Sequence, residues 1–122
     1  MDVKFEDLYR GASLTLVGGR AHTDWSSLTN LGFELIEAVP LTCGNGKQHQ
    51  RIRTALKGST LGLTLVSCIS HEYCGDTHRL GRELGVPVFD VPGAPTPMHV
   101  AGYLIQRYEA IAPRIIRAWG SR

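Results

Sequence analysis

The chain has 122 residues, with 43% hydrophobic and 20% charged residues and a formal net charge of +2. That is enough for one domain with a single core. It is too small for a separate lid domain. The lysines and arginines are scattered, so no concentrated basic face speaks for nucleic acid. No run reaches a transmembrane length.

The first residues, MDVKFEDLYRGAS, are charged and lack the apolar stretch of a signal peptide. Three cysteines, an odd number without an export signal, imply free thiols in a reducing cytoplasm.

In chain order, Ser13 to Val17 reads as a short buried strand that ends in Gly18-Gly19-Arg20. Thr23 and Asp24 suggest a helix start, with Thr23 as cap, and Gly32 closes that helix after Leu31. Phe33 to Val39 is a second strand, halted by Pro40. LTCGNGK is loop. Gln48 to Lys57 is a polar helix with apolar Ile52, Ala55 and Leu56. Leu61 to Val66 is apolar and β-branched enough for a central strand. Ser70 to Leu84 reads as a helix capped by Ser70 and ended by Gly85. Val86 to Val91 is a fourth strand, and Pro87 near its start fits an edge.

A long final helix, Met98 to Trp119, carries Ala101, Leu104, Ile105, Tyr108, Ile111, Ala112 and Ile115 at helical spacing. Pro113 should kink or restart it. Its apolar stripe suits either a buried core or a second subunit, which makes a homodimer through this helix one expectation. Strands interleaved with helices imply a single α/β domain: a small Rossmann-like or flavodoxin-like open parallel sheet, four-stranded in the order 2-1-3-4, with helices on both faces.

In such sheets ligands bind at the carboxyl ends of the strands. Four of five histidines and two of three cysteines fall on or beside that rim; His78 and Cys74 lie inside the third helix instead. The expected crevice opens between the loops after strands one and three, where Gly18, Gly19 and Arg20 face Ser67, Cys68, Ser70 and His71. The spacing Cys68-x-x-His71-x-x-Cys74 is a poor zinc clasp, because Cys68 precedes the helix that carries the other two. It also lacks paired Cys-x-x-Cys units. VGGRAHTDW is not a full dinucleotide fingerprint either.

The order and spacing of LTLVGGR (14–20), LGFELIEA (31–38), LTLVSCISHEY (63–73) and RLGRELGVPVFDVPG (79–93) resemble the small bacterial proteins grouped as domain-of-unknown-function family 2325. The resemblance covers residues 13–95 and leaves out the C-terminal helix, 97–119. It implies a Rossmann-like fold and a site at Gly18, Gly19, Ser70 and His71, with no established reaction. The family pattern often places an acidic residue near Ser67 or Cys68. A thiol stands there in this chain, which favours a soft ligand.

These residues suggest a small cofactor, either haem bound axially by His71 or Cys68, or a transition metal shared among His22, His71, His99 and Cys68. A nucleotide or other phosphorylated molecule at Gly18, Gly19, Arg20 and the helix-start amides is the alternative. Cys68 as a nucleophile with His71 or His99 as base ranks third. A ligand-free assembly module is the fourth reading.

Overall fold

The structure, a computed structural model, describes residues 8–19, 23–39, 47–69 and 71–120. At positions 47–49, 68, 71–72 and 119–120 it describes the backbone only. Strands β1 (Ser13–Val17), β2 (Leu35–Val39), β3 (Leu61–Leu65) and β4 (Val88–Val91) form one sheet in the order β2-β1-β3-β4. All three pairings are parallel. Helices α1 (Lys47–Lys57) and α2 (His71–Leu84) cross over between strands, and α3 (Pro97–Gln106) and α4 (Tyr108–Gly120) follow β4. The expected fold class and strand order are therefore observed. Among the described residues no helix is long and apolar enough to cross a membrane.

Side chains alternate across the sheet and build two cores. Leu14, Leu16, Leu61, Leu63, Leu65 and Val91 face Val100, Leu104, Ile111 and Ile115 of the C-terminal helices. Val17, Val39 and Val88 face Ile52 and Leu56 of α1 and Leu80 of α2. The strand register aligns Val39 with Val17, Val17 with Thr64, and Thr64 with Asp90. One cross-strand row on the α1/α2 face thus turns from apolar to polar as it approaches the β4 edge.

Glycines bring α2 close to that edge. A Cβ on Gly81 would stand 2.5 Å from Val88 Cγ2 and 2.7 Å from the Val86 carbonyl oxygen. At the end of α2, Gly85 takes a φ of 72°, and the Val86 N–H returns to the Gly81 carbonyl at 2.8 Å. This left-handed stop satisfies a terminal carbonyl and sends the chain straight into β4.

Three local expectations are corrected. The segment after Thr23 is a six-residue 3-10 helix, Ser26–Leu31. It starts later than expected because Asp24 Oδ1 accepts the Ser26 N–H at 3.0 Å, a local turn that competes with helix entry. Gly32 ends it in the left-handed conformation, as expected. The second strand begins at Leu35, since Phe33 is turned into the core and stacks on Tyr9 with ring centroids 4.8 Å apart.

The C-terminal helix breaks at Arg107 rather than at Pro113, which lies inside α4. In an unbroken helix the Leu104 carbonyl would receive the Tyr108 N–H. Here the buried Tyr9 hydroxyl donates to it at 2.6 Å, and burial raises the Tyr9 phenol well above its ordinary value. Of the expected apolar stripe, Leu104, Ile111 and Ile115 are buried in the core, and Ala101, Ile105, Tyr108 and Ala112 are half-buried. Ile116 stays 68% exposed.

Gly81→Ala should destabilise the fold by about 1–3 kcal/mol through overpacking, outweighing the roughly 0.5–1 kcal/mol helix preference for Ala over Gly. Gly75→Ala, where a Cβ meets nothing within 4 Å, should be neutral or stabilising. Urea unfolding of the two variants checks this. Equal stability would contradict a tight α2–β4 contact.

Candidate functional site

The register that sets Thr64 beside Asp90 also sets both beneath α2. On that helix Cys74 and His78 are four residues apart, so they share a face. Gly81 is one turn further along it. All three donors converge on a single oxygen of Asp90. His78 Nε2 lies 2.7 Å from Asp90 Oδ1, Cys74 Sγ lies 3.3 Å from it, and the Thr64 hydroxyl donates to it. Cys74 Sγ is also 3.9 Å from Thr64 Oγ1.

The ligand-type atoms of Cys74, His78 and Asp90 all lie within 4.8 Å of one another. The site is half open: the side chains of His78 and Asp90 are 31% and 49% exposed.

The environment sets the charges. Burial works to raise the Asp90 carboxyl, but hydrogen bonds from Thr64, His78 and Cys74 outweigh it and leave the group below its ordinary value. Asp90 therefore stays ionised at neutral pH. Burial pushes the Cys74 thiol up, and the hydrogen bond to Asp90 pushes the same way. The thiol is thus held protonated beside a carboxylate.

This arrangement does not fit nucleophilic catalysis. In a Cys-His-carboxylate triad the imidazole stands between the thiol and the carboxylate, and the thiol pKa is depressed. Here thiol and imidazole both address the same carboxylate oxygen. A cation placed among the three would reverse the thiol's preference, since a coordinating thiol loses its proton.

The residues singled out from the sequence have mixed placements. Gly18 and Gly19 have φ of 99° and 85°, a region L side chains seldom occupy. The space of a Gly18 Cβ is bounded by the Leu65 carbonyl oxygen at 3.3 Å and Ile69 Cβ at 3.5 Å. At Gly19 it is bounded by Leu65 Cδ1 at 3.0 Å. Turn geometry and close packing against the end of β3 both suit glycine at these two positions.

Ser67 donates to the Gly93 carbonyl at 2.7 Å, and His99 Nε2 donates to the Pro92 carbonyl at 2.6 Å. Both side chains fasten the loop after β4. Cys68 ends a 3-10 turn, Val66–Cys68, and His71 opens α2; the side chains of both lie outside the described residues. So do Arg20, His22 and Ser70 altogether.

Sequence reasoning set Cys74 and His78 aside as lying inside the third helix and did not single out Thr64 or Asp90. The usable signal was Cys-x-x-x-His within a helix that precedes a strand bearing an Asp. That pattern puts a thiol and an imidazole on one helical face above the next strand.

Comparison with protein-family models, with curated proteins and with solved structures finds no match to this chain. Function is therefore read from the geometry.

Alkylation of Cys74 by iodoacetamide, followed by peptide mapping, tests the electrostatics. Its pH–rate midpoint should lie above that of the same thiol in the urea-unfolded chain. In Asp90→Asn the midpoint should fall. A native midpoint below the unfolded one would mean that the thiol is activated.

Proposed function

We propose that the protein binds a divalent transition-metal ion, zinc foremost, through Cys74, His78 and Asp90. The observation that carries this reading is the convergence of a thiol, an imidazole and a carboxylate within 4.8 Å. One sulfur, one nitrogen and one oxygen donor make a borderline-soft set, which suits zinc and its neighbours better than magnesium or calcium.

The separations lie near those around a tetrahedral ion, and the widest, within 4.8 Å, would have to close by about 1 Å. Donors at about 2.0–2.3 Å from a tetrahedral ion stand roughly 3.3–3.8 Å from one another. The Cys74–Asp90 separation of 3.3 Å already falls there. The His78–Asp90 contact of 2.7 Å would have to open by less than about 1 Å. Asp90 is 49% exposed on an edge strand, which leaves room for that move. Thr64, bonded to Asp90, orients the carboxylate, as outer partners commonly do around metal ligands.

Three protein ligands leave a tetrahedral ion one position for water or another small ligand, the pattern of open rather than purely structural sites. The same donor set favours a bare ion over haem. A porphyrin needs one or two axial ligands and a broad apolar slot, and here three donors crowd around one point. The cofactor reading thus keeps the transition metal expected from the sequence and moves it from the β1–β3 rim to the space between α2 and β4.

Cobalt(II) titration provides the test. The protein should develop a thiolate-to-cobalt charge-transfer absorption, and one equivalent of zinc should displace it. Cys74→Ser should abolish the band and His78→Ala should weaken binding by tenfold or more, of the order seen for loss of a ligand or its support. Cys68→Ser, His71→Ala and His99→Ala should leave the band in place. If these last variants remove it instead, the ion sits at the β1–β3 rim. Apparent affinity should rise about tenfold between pH 7 and pH 8, because the Cys74 proton must leave as the ion enters.

A further inference from the structure

On the other side of β4 lies a second concave feature. The loop after β4 and one face of α3 enclose a cleft of ≈ 630 Å³ lined by Gly93, His99, Gly102, Tyr103, Gln106 and Arg107. This is within the usual range of small-molecule sites, about 300–1,000 Å³. It opens at the carboxyl end of a strand in an open parallel sheet, the end at which such folds bind ligands.

We propose that this cleft binds a small organic anion, a phosphate or carboxylate on a compact apolar body, with Arg107 as the anion-binding group. His99, Tyr103 and Gln106 follow one another at helical spacing along one face of α3. Gly102 interrupts that face: a Cβ there would meet nothing within 4 Å, so the position fronts open space.

Arg107 is the only charged side chain among the described lining residues, and none of them is acidic. It sits at the break between α3 and α4, with its guanidinium carbon 5.9 Å from the Tyr103 ring centroid. A planar guanidinium braced by an aromatic ring suits a phosphate or carboxylate, which it can meet with two parallel hydrogen bonds.

Burial raises the Tyr103 phenol, with Asp90 adding to the shift and Arg107 opposing it. The hydroxyl therefore remains a donor at neutral pH, as does the Gln106 amide. Pro92 and Met98, the latter 87% exposed, supply apolar wall for the body of the ligand.

The loop is held in shape from two sides. His99 Nε2 donates to the Pro92 carbonyl, and Ser67 donates to the Gly93 carbonyl. The cleft is thus formed before any ligand arrives. The proposal needs no metal ion and stands apart from the α2–β4 reading.

Phenyl phosphate and benzoate are the probes, titrated separately into the metal-free full chain and followed by amide chemical shifts of Gly93, Gly102 and Arg107. Saturable shifts at these amides are expected. A stronger response to phenyl phosphate assigns the natural ligand to phosphate esters, and a stronger response to benzoate assigns it to carboxylic acids. Arg107→Gln should weaken binding about tenfold or more, the loss of a charge-assisted hydrogen bond.

Gly102→Leu should fold, since the added side chain enters open space, and should block the cleft. No saturable shift with either probe up to millimolar concentration would overturn the proposal. So would binding that survives both substitutions unchanged.

Discussion

The contact on which the rest depends is the close approach of α2 to β4. Gly81 lets the helix backbone sit where any side chain would strike Val88 and the Val86 carbonyl. One turn earlier the same helical face carries His78, and a further turn back Cys74. At that short distance both reach Asp90, which the sheet register places beside Thr64. If the helix stood further from the sheet, the thiol and imidazole would face solvent and the carboxylate would keep only Thr64. Packing therefore comes first, and the chemistry of the site follows from it.

The rim expected to hold the ligand has a different character. The loop after β1 closes onto the end of β3 through Gly18 and Gly19, whose missing side chains make room for Leu65 and Ile69. Ser67 and His99 use their polar atoms to hold the carbonyls of Gly93 and Pro92. These two side chains shape the loop after β4. The Cys74–His78–Asp90 cluster and the cleft lined by Arg107 both border the edge strand, one on each side of β4.

Much of the fold was legible in the residues themselves. Strand-like runs of four or five residues alternating with helical segments, each ended by Gly32, Gly58 or Gly85, specify a parallel sheet and its crossovers. Element ends were legible only where the deciding interaction is local. Gly85 marks the end of α2 because a left-handed stop is a property of that residue. The break at Arg107 was not legible, because the Leu104 carbonyl that would continue the helix is taken by the Tyr9 hydroxyl, 95 positions away in the chain. Pro113 was the visible local signal, and the tertiary hydrogen bond decided the outcome.

The same distinction explains the site. The thiol and imidazole are four residues apart and could have been paired from helical geometry alone. Asp90 and Thr64 are joined to them by strand register and by a glycine contact, neither of which a motif spells out. Attention to the rim favoured His71 and Cys68 over two residues one and two turns further into the same helix.

The most direct test of the metal site is anomalous diffraction at the zinc edge, from crystals of the full chain grown with one equivalent of zinc. A single peak about 2.0–2.3 Å from Cys74 Sγ, His78 Nε2 and an Asp90 carboxylate oxygen is the expected result. A peak at Cys68, His71 or His99, or none between α2 and β4, would contradict it.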